Sequence, residues 1–180
     1  VAKDYPNDTD RTVASVRKLF KYMDNLGIEP DVLIPLQGRE PTDYLRAYDE
    51  LSSYGTYFGV GGIAGSDITR APALRGIGAK QAVVNSLLDT TDISKVHIFG
   101  QTTTPWAPIF ADDRVYSCDS NRFGQNALHQ NGGLRIGKGS GYSYGLRVMS
   151  DYLDFCLDLQ AAIDGRMVEG KQSQFSEFFQ

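Results

Sequence analysis

Short apolar runs alternate with longer amphipathic stretches along most of this chain. The runs DVLIPLQG (31–38), YFGVGGIAG (57–65), KVHIFGQ (95–101) and RVYSC (114–118) are β-rich, and the first three end in Gly or polar residues. Each is apolar without strict alternation, the pattern of a strand buried on both faces in a parallel sheet. Between them, 10–27, 41–55 and 71–89 carry helical patterns. In the first, Val13, Val16, Leu19, Phe20 and Met23 recur at helical spacing, Asp8 or Thr9 is placed to cap the start, and Gly27 to close the end. Pro41 near the first helical position and Asp43 in the first turn suit the second. A last helix over about 145–164 sets Leu146, Met149, Tyr152, Leu153, Cys156, Leu159 and Ile163 on one face.

Strand–helix repetition of this kind predicts an α/β fold with a parallel sheet. No G-x-G-x-x-G opens a helix after the first strand, which weakens a dinucleotide-binding arrangement. Counting VAKDYP at the start, five strand candidates are too few for a complete (β/α)8 barrel, which takes about 250 residues. The consistent solution is the C-terminal portion of a TIM-type (β/α)8 barrel with parallel strands. The expectation for organisation is a single domain over 1–180, with a Gly-rich basic loop at about 122–145 and a C-terminal helix.

Composition changes this picture little, but charge sharpens it. Of 180 residues, 41% are hydrophobic and 22% charged, as in an ordinary globule. No apolar run approaches the roughly 18–20 residues of a membrane span. Two cysteines without a C-x-x-C exclude a cysteine-built structural zinc site and point to a reducing, cytoplasmic compartment. A net charge of −4 argues against coating nucleic acid by bulk charge. Yet between Asp119 and Asp151 there is no acid, while Arg122, Arg135, Lys138 and Arg147 all fall there. That stretch suits a phosphate contact, or equally a solvated loop.

In barrels, chemistry gathers at the C-terminal strand ends. Here those positions hold Asp4, Gln37 and Gly38, Gly61 and Gly62, Gly100 and Gln101, and Asp119. A carboxylate accepts two adjacent N–H groups, as on the edge of a guanine-like base, a Gln amide donates to a ring carbonyl, and glycines admit a flat ring close to the backbone. A second carboxylate attacking a sugar carbon gives a covalent glycosyl intermediate, and Asp119 is placed for it. Each position also has a plainer role. Gly61-Gly62 serves as a tight strand end, Gln37 satisfies backbone groups at a rim, Asp4 makes the turn before Pro6, and Asp119 caps a following helix. His97 reads as an ordinary strand residue and Trp106 as packing.

Taken in order along the chain, KDYPNDTDRTVASVRK, IPLQG, FGVGGIAGSD, VHIFGQ, VYSCDS and the tail AIDGRMVEGKQSQFSEFF resemble the tRNA-guanine transglycosylase superfamily. The resemblance implies Asp4 as the base-recognising carboxylate, Gln37 and Gly38 at the base, and Gly61, Gly62 and Ile63 against the ring. VYSCDS is implied to bear the nucleophile, Asp119. The tRNA enzymes hold a zinc with three cysteines and one histidine, and this sequence lacks those cysteines. In the family the nucleophile precedes a Cys, whereas Cys118 precedes Asp119 here, so the register of the attacking acid stays open by a residue or two.

Without the zinc subdomain the pattern looks most like the branch that inserts 7-deazaguanines into DNA. The basic positions Arg122, Arg135, Lys138 and Arg147 occupy roughly the place of that subdomain. The implied activity is replacement of guanine in nucleic acid, DNA favoured over tRNA, by 7-cyano-7-deazaguanine or a related base, with no metal or other cofactor and no membrane. The family's general base lies on an earlier strand, so a second chain or further sequence is expected to supply it. Two alternatives remain in the sequence: the tRNA enzyme itself, and a non-catalytic nucleic-acid-binding subunit. An unrelated barrel enzyme acting on a small sugar or base is a third.

Overall fold

The computed structural model describes residues 5–29, 31–63, 71–101, 103–119 and 140–164. Asp4, Arg122, Arg135 and Lys138 lie outside them, as does the tail that follows the last helix. The described residues belong to two compact units, one comprising 1–101 with Asp112–Cys118, the other Thr102–Ala111 with 119–180.

The first unit opens with α1 (Thr9–Leu26). Asp8 caps it, its Oδ1 accepting from Arg11 N at 3.1 Å, and Gly27 ends it in the left-handed region at φ 63°. Ile28 N then donates back to Met23 O at 3.0 Å, closing the end with a wide turn that only a positive φ permits. Four parallel strands follow: β1 (Ile34–Leu36), β2 (Tyr57–Val60), β3 (Lys95–Ile98) and β4 (Val115–Cys118). They pair in sequential order, β1-β2-β3-β4. The intervening helices are α2 (Pro41–Leu51), α3 (Ile77–Thr90) and, in the second unit, the short α4 (Ala107–Phe110). The expected α/β class with a parallel sheet is what the chain forms.

Alternation along the strands sorts the two faces of the sheet. Ile34 and Leu36 stand in register with Phe58 and Val60, and these with Val96 and Ile98; all six are at most 1% exposed. The buried stripes of the helices pack with them: Val13 and Val16 of α1, Tyr44, Ala47, Tyr48 and Leu51 of α2, and Val83, Val84, Leu87 and Leu88 of α3. A sequentially ordered parallel sheet with crossovers of one hand keeps its helices on one face, and α1, α2 and α3 pack in series. Across α1 and α2, Arg17 bonds Glu50 and Arg46 bonds Asp10.

The opposite face is polar toward the strand starts. Tyr57 Oη and His97 Nδ1 each lie 2.8 Å from Ser117 Oγ, and the Lys95 ammonium sits over the Tyr57 and Tyr116 rings. His97 is thus a strand residue bonded across to β4. Between Val96 and His97 the pairing shifts from Val115 to Ser117, so Tyr116 is an extra residue that bulges out, 66% exposed.

Element limits differ from the sequence pattern where glycine intervenes. The stretch 71–89 divides into a 3-10 turn, Pro72–Leu74, and a helix that starts only after Gly76, whose φ of 82° breaks continuity. In the second unit the last helix, α5 (Ser140–Ile163), begins earlier than expected and carries Arg147. Trp106 is fully buried and stacks on Phe110, whose ring meets Phe155 of α5 edge-on. The burial of α5 therefore runs through Phe155 and Ser150, while Met149, Tyr152 and Leu153 of the expected apolar face are exposed. No helix among the described residues is long and apolar enough to cross a membrane.

Candidate functional site

At the C-terminal ends of β1, β2 and β3 the first unit gathers a buried polar cluster. Gln37 follows β1 and is 1% exposed. Its carbonyl accepts from Thr9 Oγ1 at 2.9 Å, so the first turn of α1 fixes the strand end. Gly38 is required by crowding: a Cβ there would stand 2.5 Å from Asp43 Cβ and 3.0 Å from the Tyr44 ring. Beyond it, Arg39 N donates to Asp43 Oδ2 at 2.8 Å, and Arg39 Nε donates to Asn7 O at 3.0 Å. The turn before α1 is thereby tied to the end of β1.

The end of β2 is built against Gln37. Gly61 N donates to Leu36 O at 3.0 Å, extending the ladder by one bond. A Cβ on Gly61 would overlap the Gln37 amide nitrogen, and one on Gly62 would lie 2.5 Å from Gln37 Oε1. Gly62 also holds a φ of 72°. The Gly-Gly pair is thus both a tight strand end and the surface on which the Gln37 amide rests. Tyr44 Oη donates to Gly61 O at 2.8 Å and also lies 3.3 Å from Gly38 O, bridging the two strand ends from α2. Ile63, 1% exposed, accepts through its carbonyl from Gln101 Nε2 at 2.9 Å, which joins the end of β3.

Of the residues expected to form a site, Gln37, Gly38, Gly61, Gly62 and Ile63 come together with Gln101. Asp119 follows the last residue of β4 directly, is exposed, and belongs to the second unit. Asp4 and three of the four basic positions fall outside the described residues. Two members of the cluster carried no functional reading from sequence, Tyr44 and Asn7. Tyr44 was hidden because its spacing with Ala47, Tyr48 and Leu51 is simply that of a buried helix face. Asn7 had a signal, an Asn between Pro6 and Asp8 marking a turn.

Burial pushes the Tyr44 phenol well above its ordinary range; the Gly38 backbone bond opposes this and the Asp43 carboxylate adds to it. Tyr44 is therefore a neutral donor across the physiological range. The Gln37 amide thus lies buried on the Gly-Gly backbone, beside main-chain polar groups. Among the described residues no group of three His, Cys, Asp or Glu side chains could hold a metal ion. Neither protein-family models, curated proteins nor solved structures match this chain.

Proposed function

We propose that this chain is the C-terminal portion of a (β/α)8-barrel transglycosylase that exchanges guanine in nucleic acid, DNA in the first instance, for a 7-deazaguanine. The observation that carries the reading is the convergence of Gln37, Gly61, Gly62, Ile63 and Gln101 at the C-terminal edge of a sequentially ordered parallel sheet. That edge is where barrel enzymes place their chemistry, and an amide on a glycine shelf suits a purine. Asp119, the residue after β4, is then the nucleophile: its carboxylate bonds to C1′ as the bond to guanine breaks. The incoming 7-cyano-7-deazaguanine or related base next displaces the carboxylate and restores it. Asp4 completes base recognition, the basic positions Arg122, Arg135, Lys138 and Arg147 contact phosphates, and no cofactor takes part. The setting is cytoplasmic.

The general base must come from a second chain or from further sequence. A non-catalytic binding subunit is the second reading, favoured by one fact: among the described residues directly after the four strands, Asp119 is the sole carboxylate. A covalent trap separates the two. The protein, with whatever chain co-purifies, is mixed with a guanine-containing DNA oligonucleotide or a tRNA hairpin, denatured, and mapped by mass. The expected result is a DNA adduct on Asp119 that Asp119→Ala abolishes. An adduct with tRNA alone overturns the DNA preference. No adduct from a preparation that contains a complete barrel leaves the binding subunit.

A further inference from the structure

Asn7 lies in the turn that enters α1, and glycines aside it alone among the described residues holds a positive φ, 61°. Asn tolerates that conformation better than most residues, which accounts for the turn but not for the side chain. The residue is 5% exposed, and among the described residues nothing donates to its Oδ1. Its backbone is pinned, since Asn7 O accepts from Arg39 Nε and Asp8 N closes the turn on Tyr5 O at 3.0 Å. A buried carbonyl held in place without a donor is costly, and needs a reason.

The surroundings supply one. Three oxygens converge beside the Gly62 Cα: from the point a Cβ would occupy, Gln37 Oε1 is 2.5 Å away, Tyr44 Oη 3.2 Å and Asn7 Oδ1 3.5 Å. The Tyr44 proton is committed to Gly61 O, so its hydroxyl presents a lone pair. Gly62 is half-buried between buried Gly61 and Ile63, so it is the exposed member of this strand end. A set of oxygen acceptors repels phosphate or carboxylate and welcomes an N–H.

We propose that Asn7 is a further ligand-binding residue of the strand-end site, its Oδ1 accepting an N–H of a planar nitrogen heterocycle bound at Gly62. The inference rests on the base-binding reading above. The test is calorimetric binding of guanine to the full chain and to two variants. Asn7→Gly keeps the positive φ and deletes the amide; Asn7→Asp keeps an acceptor at the same place. The urea midpoint of each variant reports folding independently. Loss of one neutral hydrogen bond predicts about tenfold weaker guanine binding in N7G, with an unlowered urea midpoint, and tighter binding in N7D than in N7G. Equal affinity in N7G and the parent overturns the role of Asn7 and leaves base binding standing. N7D no better than N7G overturns the acceptor assignment. A parent chain that binds no guanine overturns both this inference and the reading beneath it.

Discussion

Gly62 and Gly27 hold nearly the same backbone angle, φ 72° and 63°, for different reasons. Around Gly27 a Cβ would meet nothing within 4 Å, whereas at Gly62 it would meet the Gln37 and Asn7 amides and the Tyr44 hydroxyl. The pair therefore separates backbone strain from crowding. Gly27→Ala is expected to cost about 1–2 kcal/mol from the left-handed conformation alone. Gly62→Ala should cost at least about 1 kcal/mol more, because the neighbours that must move are buried. Urea denaturation of the two variants checks this, and equal losses would mean that Gln37 is free to swing away. From sequence, Gly61-Gly62 was legible as a special strand end. That the side chain against it would come from the residue after β1 was not, because residues 37 and 62 meet only once β1 and β2 are paired.

Helix starts and stops were the most local features and the most legible. Asp8, Thr9 and Gly27 stand where capping chemistry places them, and α1 runs between them. Replacing Asp8 by Ala leaves the Arg11 amide without its acceptor and is expected to lower stability by about 1 kcal/mol, read as a shift in urea midpoint. The exposed ion pairs that Arg46 makes with Asp10, Asp43 and Glu50 contribute far less, so added salt should leave the midpoint of the parent nearly unchanged. Strand limits were less legible. Each apolar run is longer than its strand, since residues such as Gln37 and Ile63 are buried by the turns that follow the ladder. In α5 the apolar stripe was visible but its orientation was not. Phe155 is drawn in by the ring of Phe110, a residue 45 positions earlier in the numbering, and Met149 and Tyr152 are left outside.

The first unit buries two phenols of α2 against the sheet, and both tie its stability to alkaline pH. Burial, and then the hydrogen bond to Asp92, push Tyr48 up to about 12, while burial drives Tyr44 higher still. A folded-state pKa raised above the ordinary value of about 10 gives stability that is full below about pH 10 and lost as pH climbs toward the folded value. The urea midpoint should accordingly fall as pH rises above about 10, and Tyr48→Phe should flatten part of that fall. A midpoint unchanged up to about pH 12 would show that these phenols ionise without resistance. The periodicity of 3.6 and the β-rich runs were enough for the class of fold, the parallel strands and the order of elements, because those follow from interactions between residues close in the chain. The assembly of Asn7, Gln37, Tyr44, Gly61, Gly62 and Gln101 into one cluster was not contained in any local pattern. It depends on strand register and on the docking of α1 and α2, which bring residues more than 90 positions apart onto one edge. Hydrophobic burial sets that docking without regard to which polar groups it gathers, and for this reason the fold was readable before the site was.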